Sequence, residues 1–199
     1  ANQLPEAPLF PRLTTDQASQ DLLVTAHGLD RSRLVAICPG AEFGPAKQWP
    51  IDHFSDLVTR LIDDGYQIVL LGSPNDADDM RRLIDQIEGS KRKSIVNFAG
   101  LTSIPEAVDI IGLSKAVVTN DSGLMHVAAA TGRPLVALFG PSSPAHTPPL
   151  SEMAVTLTHP VPCHPCFERE CPLKHQECLS ELSVDEVFDA LSQQIQRVA

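Results

Sequence analysis

Five short apolar runs, each closed by glycine, proline or a small polar residue, constrain this chain more than anything else in it. They are Leu34-Val35-Ala36-Ile37-Cys38, Gln67 to Leu71, Ser94 to Phe98, Ala116 to Thr119 and Leu135 to Phe139. Their length is that of a strand, and their continuity is that of a strand buried on both faces. The stretches between them are helical. Ile51, Phe54, Leu57, Val58, Leu61 and Ile62 keep one 3.6-residue face over about 51–64, and Gly65 ends it. A charged helix is expected over about 76–87. Ser103-Ile104-Pro105-Glu106 is a capping box opening a helix to Leu113. Ser183-Val184-Asp185-Glu186 repeats the device before a last amphipathic helix (Val184, Val187, Phe188, Leu191, Ile195, Val198). No hairpin signal joins the strands. The chain is therefore expected to be α/β: a doubly wound, mostly parallel sheet with helices on both faces. Val155 to Thr158 is a candidate sixth strand.

The domain is expected to occupy residues 34–199. Residues 1–33 form a linker or strap (Leu4, Pro5, Pro8, Leu9, Phe10, Pro11) and then a short helix over Asp16 to Leu29, with Leu22, Leu23 and Ala26 inward. The chain opens Ala-Asn-Gln-Leu-Pro without Met, which suggests a fragment or processed piece. An apolar content of 43% over 199 residues supports one substantial core. A net charge of −10 and a pI near 5.0 argue against a nucleic-acid partner, which needs a basic footprint. A phosphorylated ligand must then be held locally, by a helix end or a lysine, rather than by a broad basic field. No apolar run reaches the roughly 18 residues of a transmembrane helix.

Ligands of open parallel sheets bind beyond the carboxyl ends of the strands. Here those ends are Pro39-Gly40, Gly72-Ser73, Ala99-Gly100, Asn120-Asp121-Ser122-Gly123 and Gly140-Pro141-Ser142-Ser143. Singly each is a turn; together they make an edge that a ligand can approach closely. Val117-Val118-Thr119-Asn120-Asp121-Ser122-Gly123-Leu124-Met125-His126 is the most informative of them. A strand runs there into a small-residue helix, whose first amides and dipole can hold an anion. His126 falls one turn after Ser122. The plainer alternative is a helix capped by Asp121 with a buried histidine.

No G-x-G-x-x-G and no G-x-x-x-x-G-K-[ST] occurs, so neither a dinucleotide fingerprint nor a P-loop is present. Lys47, in the loop after the first strand, can place one positive charge on a diphosphate, and Trp49 packs that loop onto the domain. Cys163, Cys166, Cys171 and Cys178 have the spacing C-x2-C-x4-C-x6-C within a Pro/Cys/His-rich stretch, with Cys38 apart from them in a strand. Four such thiols can bind zinc or an iron–sulfur cluster or pair as disulfides. Reduced thiols packed inward are preferred over a structural zinc.

With these residues in view, the chain resembles the ADP-heptose–lipopolysaccharide heptosyltransferases of glycosyltransferase family 9, and among them the heptosyltransferase II group. The matching stretches are Cys38 to Pro50, Asn97 to Ser103, Thr119 to His126 and Ala137 to Pro141, together with the Cys163–Cys178 segment that sets this group apart. The resemblance implies the GT-B architecture, two Rossmann-like domains facing across a cleft, with only the C-terminal, donor-binding half in this chain. It implies that Lys47, Ser122 and Gly123 meet the diphosphate of ADP-heptose, that Asp121 and His126 line the site, and that Leu101 lies beside the adenine. An aspartate proposed as general base belongs to the absent N-terminal half, so no catalytic residue is expected here. The resemblance further implies an inverting transfer without a required cofactor, onto a lipopolysaccharide inner-core acceptor. A monomeric, cytoplasmic enzyme at the inner face of a Gram-negative inner membrane is expected. The alternatives are a non-catalytic nucleotide-sugar-binding module and a metal-stabilised interaction domain built on the cysteine segment.

Overall fold

The computed structural model describes residues 10–197. Its elements run α1 (Gln17–His27), β1 (Leu34–Cys38), α2 (Ile51–Asp63), β2 (Gln67–Leu70), α3 (Ala77–Asp85), β3 (Ile95–Asn97), α4 (Ile104–Leu113), β4 (Ala116–Asn120), α5 (Gly123–Thr131), β5 (Leu135–Phe139), β6 (Ala154–Thr158), α6 (Glu177–Ser180) and α7 (Val184–Gln196). The strands lie in the order β3-β2-β1-β4-β5-β6, and every pairing is parallel. From β1 the chain winds outward through β2 and β3; β4 returns to the other side of β1 and winds through β5 and β6. The winding reverses between β1 and β4, where such sheets open a crevice.

The four inner strands, β1, β2, β4 and β5, are buried on both faces, which is why they read as unbroken apolar runs. The edge strands β3 and β6 are only partly buried, so the expectation of burial on both faces fails for Ser94 to Phe98, which lies at the sheet edge. Along β1, Val35 and Ile37 face one core with Trp49, Phe54, Leu57, Leu61 and Met80. Leu34, Ala36 and Cys38 face the other, with Leu23, Ile110, Ile111, Met125 and Ala128. Helices α2, α3 and α7 cover the first face; α1, α4 and α5 cover the second.

Both capping boxes form. Ser103 Oγ accepts from the Glu106 amide at 3.4 Å and Glu106 accepts from the Ser103 amide at 2.8 Å. Ser183 and Glu186 do the same at 3.2 and 2.9 Å. Gly65, at φ 88°, adopts the left-handed turn that stops α2.

One face was expected wrongly. Leu22 is 71% exposed and Ala26 is exposed too; α1 instead turns Gln20 and Leu23 inward. The reason is α4, against which α1 docks by polar contacts. Gln20 Nε2 donates to the Asp109 carbonyl at 3.1 Å, and the Asp16 amide donates to Asp109 Oδ1 at 2.8 Å. A face fixed by a glutamine is invisible to an apolar period. The expectations placed on Leu4, Pro5, Pro8, Leu9 and Val198 lie outside the described residues.

Candidate functional site

The crevice at the β1–β4 reversal is an open cleft of about 420 Å³. Its floor comes from strand ends: Gly40 after β1, and Leu71, Gly72 and Ser73 after β2. One wall is apolar, made by Ile104 and Ala107 of α4 with Leu124 and Val127 of α5. Ser122 and Gly123 stand at the junction where β4 becomes α5. Glu42 and Asp76 carry carboxylates on the remaining side.

The junction is assembled by its sequence in order. Asn120, fully buried, donates from Nδ2 to the Pro39 carbonyl at 2.5 Å and accepts the Trp49 amide at 3.1 Å. Trp49 in turn donates from Nε1 to the Leu182 carbonyl at 2.9 Å. This fastens the loop 41–50 to β4, and Trp49 packs it down as expected. Asp121 does not cap the helix. Its Oδ2 accepts from Lys47 Nζ at 2.5 Å and from Ser142 Oγ at 2.5 Å, with Asp121 5% and the Lys47 side chain 14% exposed. The cap position belongs to Ser122, whose backbone is extended at φ −145° and whose side chain makes no cap bond. Its hydroxyl lies 3.3 Å from Thr119 Oγ1, which itself donates to the Asn120 carbonyl. Gly123 is exposed, and a Cβ there would meet nothing within 4 Å. The first turn of α5 carries no acidic side chain. A helix start with free amides, open space above it and a hydroxyl whose one long contact, to Thr119, an incoming anion can replace, is suited to seat an anion.

The structure therefore gathers Lys47, Asp121, Ser122 and Gly123 at one junction, where Ser122 and Gly123 line the cleft and the Lys47–Asp121 pair stands behind the lining. Leu101, 75% exposed, stands at the rim beside the lining residues Thr102 and Ser103. His126 is exposed, not buried, and is not part of the cleft wall, which α5 builds from Gly123, Leu124 and Val127.

Three contributors went unnoticed in the sequence. Ser142 was visible only as a strand-end serine, and its pairing with Asp121 spans 21 residues. Asn120 was read as turn, although a buried amide placed before Asp121 ties two loops. Asp76 accepts from the Ser73 amide and hydroxyl at 2.7 and 2.8 Å and lies against Gly40, where a Cβ would come within 2.5 Å of its carboxylate.

The four clustered cysteines are unpaired and partly buried, and all four line one small cavity with His175. Burial pushes the Cys178 thiol up to about 11, and the other three sulfurs add to this. Backbone amides, Gln176 foremost and then Leu173, His175 and Lys174, draw the Cys171 thiol below its ordinary value. Cys38 stands apart: burial at the end of β1, then the Asp76 carboxylate, push it up to about 12, so it is an inert core thiol.

A doubly wound parallel sheet with an open helix start at its switch point is the Rossmann-like architecture of nucleotide-binding domains, the architecture from which GT-B glycosyltransferases are built. Residues 1–177 match the profile of glycosyltransferase family 9 (heptosyltransferase). Lipopolysaccharide heptosyltransferase 2 of Salmonella typhimurium is 40% identical over 192 residues, which is 96% of this chain and 55% of that protein. Lipooligosaccharide heptosyltransferase 2 of Haemophilus influenzae is 50% identical over 154 residues, covering 75% of this chain and 44% of that one. The solved structure of Escherichia coli ADP-heptose lps heptosyltransferase II superposes with a TM-score of 0.86 at 38% identity, covering 98% of this chain and 56% of that one. The chain belongs to glycosyltransferase family 9, the heptosyltransferase family. It spans about half the length of the relatives it matches.

Proposed function

We propose that residues 34–199, preceded by the strap 1–33, are the donor-binding half of an inverting heptosyltransferase. The whole enzyme takes L-glycero-D-manno-heptose from its ADP-linked form and adds the second heptose to the lipopolysaccharide inner core. The observation that carries this reading is the Lys47–Asp121 pair set beside the open amide end of α5.

The diphosphate sits over the amides at Ser122 and Gly123, where helix dipole and hydrogen bonds act together. Ser122 Oγ donates to it. Lys47 donates to it through the ammonium hydrogens that Asp121 leaves free, and Asp121, backed by Ser142, holds that ammonium at the helix start. A bare aspartate would repel phosphate; one neutralised by lysine does not. Asp121 has a second acceptor edge for sugar hydroxyls. Glu42 and Asp76 exclude phosphate from their side of the cleft and accept hydroxyl hydrogens, so the ribose faces them. The adenine lies on the apolar wall of Ile104, Ala107, Leu124 and Val127, beside Leu101. His126 stands one turn away and reaches only the outer part of the donor.

Transfer breaks the bond between the anomeric carbon and the β-phosphate oxygen, and negative charge grows on ADP. Preorganised amides and one lysine stabilise that charge where it develops. No metal or other cofactor is needed for this step. Proton removal from the acceptor hydroxyl falls to a base outside this chain. Contact with the lipid-linked acceptor and with the inner face of the inner membrane also belongs to the other half. No described helix is long and apolar enough to cross a membrane. The chain is expected to be monomeric.

Turnover of ADP-heptose with a truncated core acceptor, measured with and without the N-terminal half, tests this reading. We expect donor binding by this chain alone and turnover only with both halves. Turnover by this chain alone would overturn it. Donor binding without turnover in the two-half protein would favour a non-catalytic binding module.

A further inference from the structure

Between β6 and α6, residues 159–176 form neither helix nor strand. A loop of that length in a compact domain needs something to hold it. Apolar burial does not: its two large apolar side chains, Phe167 and Leu173, are 48% and 60% exposed. What the loop turns inward is sulfur. Cys163, Cys166 and Cys171, with Cys178 from α6 and His175, surround one cavity of about 20 Å³, which is close to the space of a single water or ion. The Gln176 amide donates to Cys171 Sγ at 3.4 Å, and His175 Nε2 lies 3.9 Å from Cys163 Sγ. Amide donors aimed at sulfur favour thiolate over thiol and are a usual second shell of thiolate metal sites.

We propose that Cys163, Cys166, Cys171 and Cys178 form a tetrathiolate site for one thiophilic metal ion, zinc or iron, with His175 at its edge. Four sulfurs suit these ions and not magnesium or calcium. As placed, no three described Cys, His, Asp or Glu side chains form a coordination sphere. Binding thus requires the four sulfurs to close on the cavity they line, with the thiol protons released to solvent. The ion then braces more than its own loop. The Ala46 amide donates to the Arg169 carbonyl at 3.1 Å, Gln176 Nε2 to the Pro45 carbonyl at 2.7 Å, and the Phe167 amide to the Pro141 carbonyl at 2.8 Å. The cysteine loop thus clasps the segments that carry Lys47 and Ser142.

The test is elemental analysis of the whole protein, purified with reductant and without chelator. We expect one equivalent of metal per chain, and the element found distinguishes zinc from iron. Cobalt(II) loaded in its place should show the intense visible bands of tetrahedral thiolate coordination. Cys166→Ser and Cys171→Ser should lose the metal, whereas Cys38→Ala should keep it. Should those serine variants fail to fold, a chelator added to the unaltered protein should lower its Tm, and the metal added back should restore it. A folded protein that is metal-free as purified, takes up no cobalt and melts alike with and without chelator would overturn the proposal. So would an intact mass showing the four cysteines joined as two disulfides.

Discussion

Lys47 and Asp121 form a charged pair that is nearly out of solvent, and its meaning depends on what lies beside it. Burying such a pair costs desolvation and is weak evidence for stability alone. Its position, next to the open start of α5, gives it a use: the ammonium is held in place before an anion arrives. Replacing Lys47 by Ala removes one charge-assisted contact, worth roughly 1.5–3 kcal/mol, so ADP should bind about 10- to 150-fold more weakly by calorimetry. Affinity unchanged within twofold would remove Lys47 from the diphosphate site. The sequence announced Lys47 and Asp121 separately but not as partners, because they stand 74 positions apart and meet only through the parallel β1–β4 pairing. His126 shows the converse. Its spacing from Ser122 was legible, but which side of α5 faces the cleft depends on how α5 packs against β4 and α4, and no local pattern records that.

At the scale of elements, strand ends and caps govern the behaviour. Gly40 lets the end of β1 pass under the Asp76 carboxylate, which is itself pinned by Ser73. Gly40→Ala would break that pinning or shift the strand end, costing about 1–3 kcal/mol, and a thermal melt should show a lowered Tm. An unchanged Tm would mean that Asp76 moves freely. The capping boxes, with Asp30 held down by Ser32 and Arg33, contribute to the acid limb of stability. The Ser103 amide, then its hydroxyl, hold Glu106 below the ordinary value of 4.5. The Ser183 hydroxyl, then its amide, do the same for Glu186. A lowered folded-state value stabilises fully above 4.5 and is lost as pH falls through the lower folded values. Unfolding free energy followed from pH 6 downwards should therefore drop below about pH 4.5, and the Ser103→Ala/Ser183→Ala double variant should drop less steeply. Equal slopes would contradict this. The two boxes and the buried strands were legible because both signals are local. The inward face of α1 was not, since Gln20 and Asp109 fix it through polar contacts across 89 residues.

At the scale of the whole molecule, the strand order places five chain segments at one crevice. The loop bearing Lys47, the turns after β2 and β3, the start of α5 and the turn after β5 all converge at the β1–β4 reversal. The sequence supplied the residue types and their strand-end positions; the sheet order turned them into one edge. The family match accounts for this arrangement in a chain about half as long as its relatives. The most direct test is calorimetric titration of ADP-heptose into this chain, alongside its Lys47→Ala variant, with folding verified by circular dichroism. Saturable one-to-one binding that competes with ADP and weakens in the variant is expected. A folded chain that binds neither ADP nor ADP-heptose would contradict it.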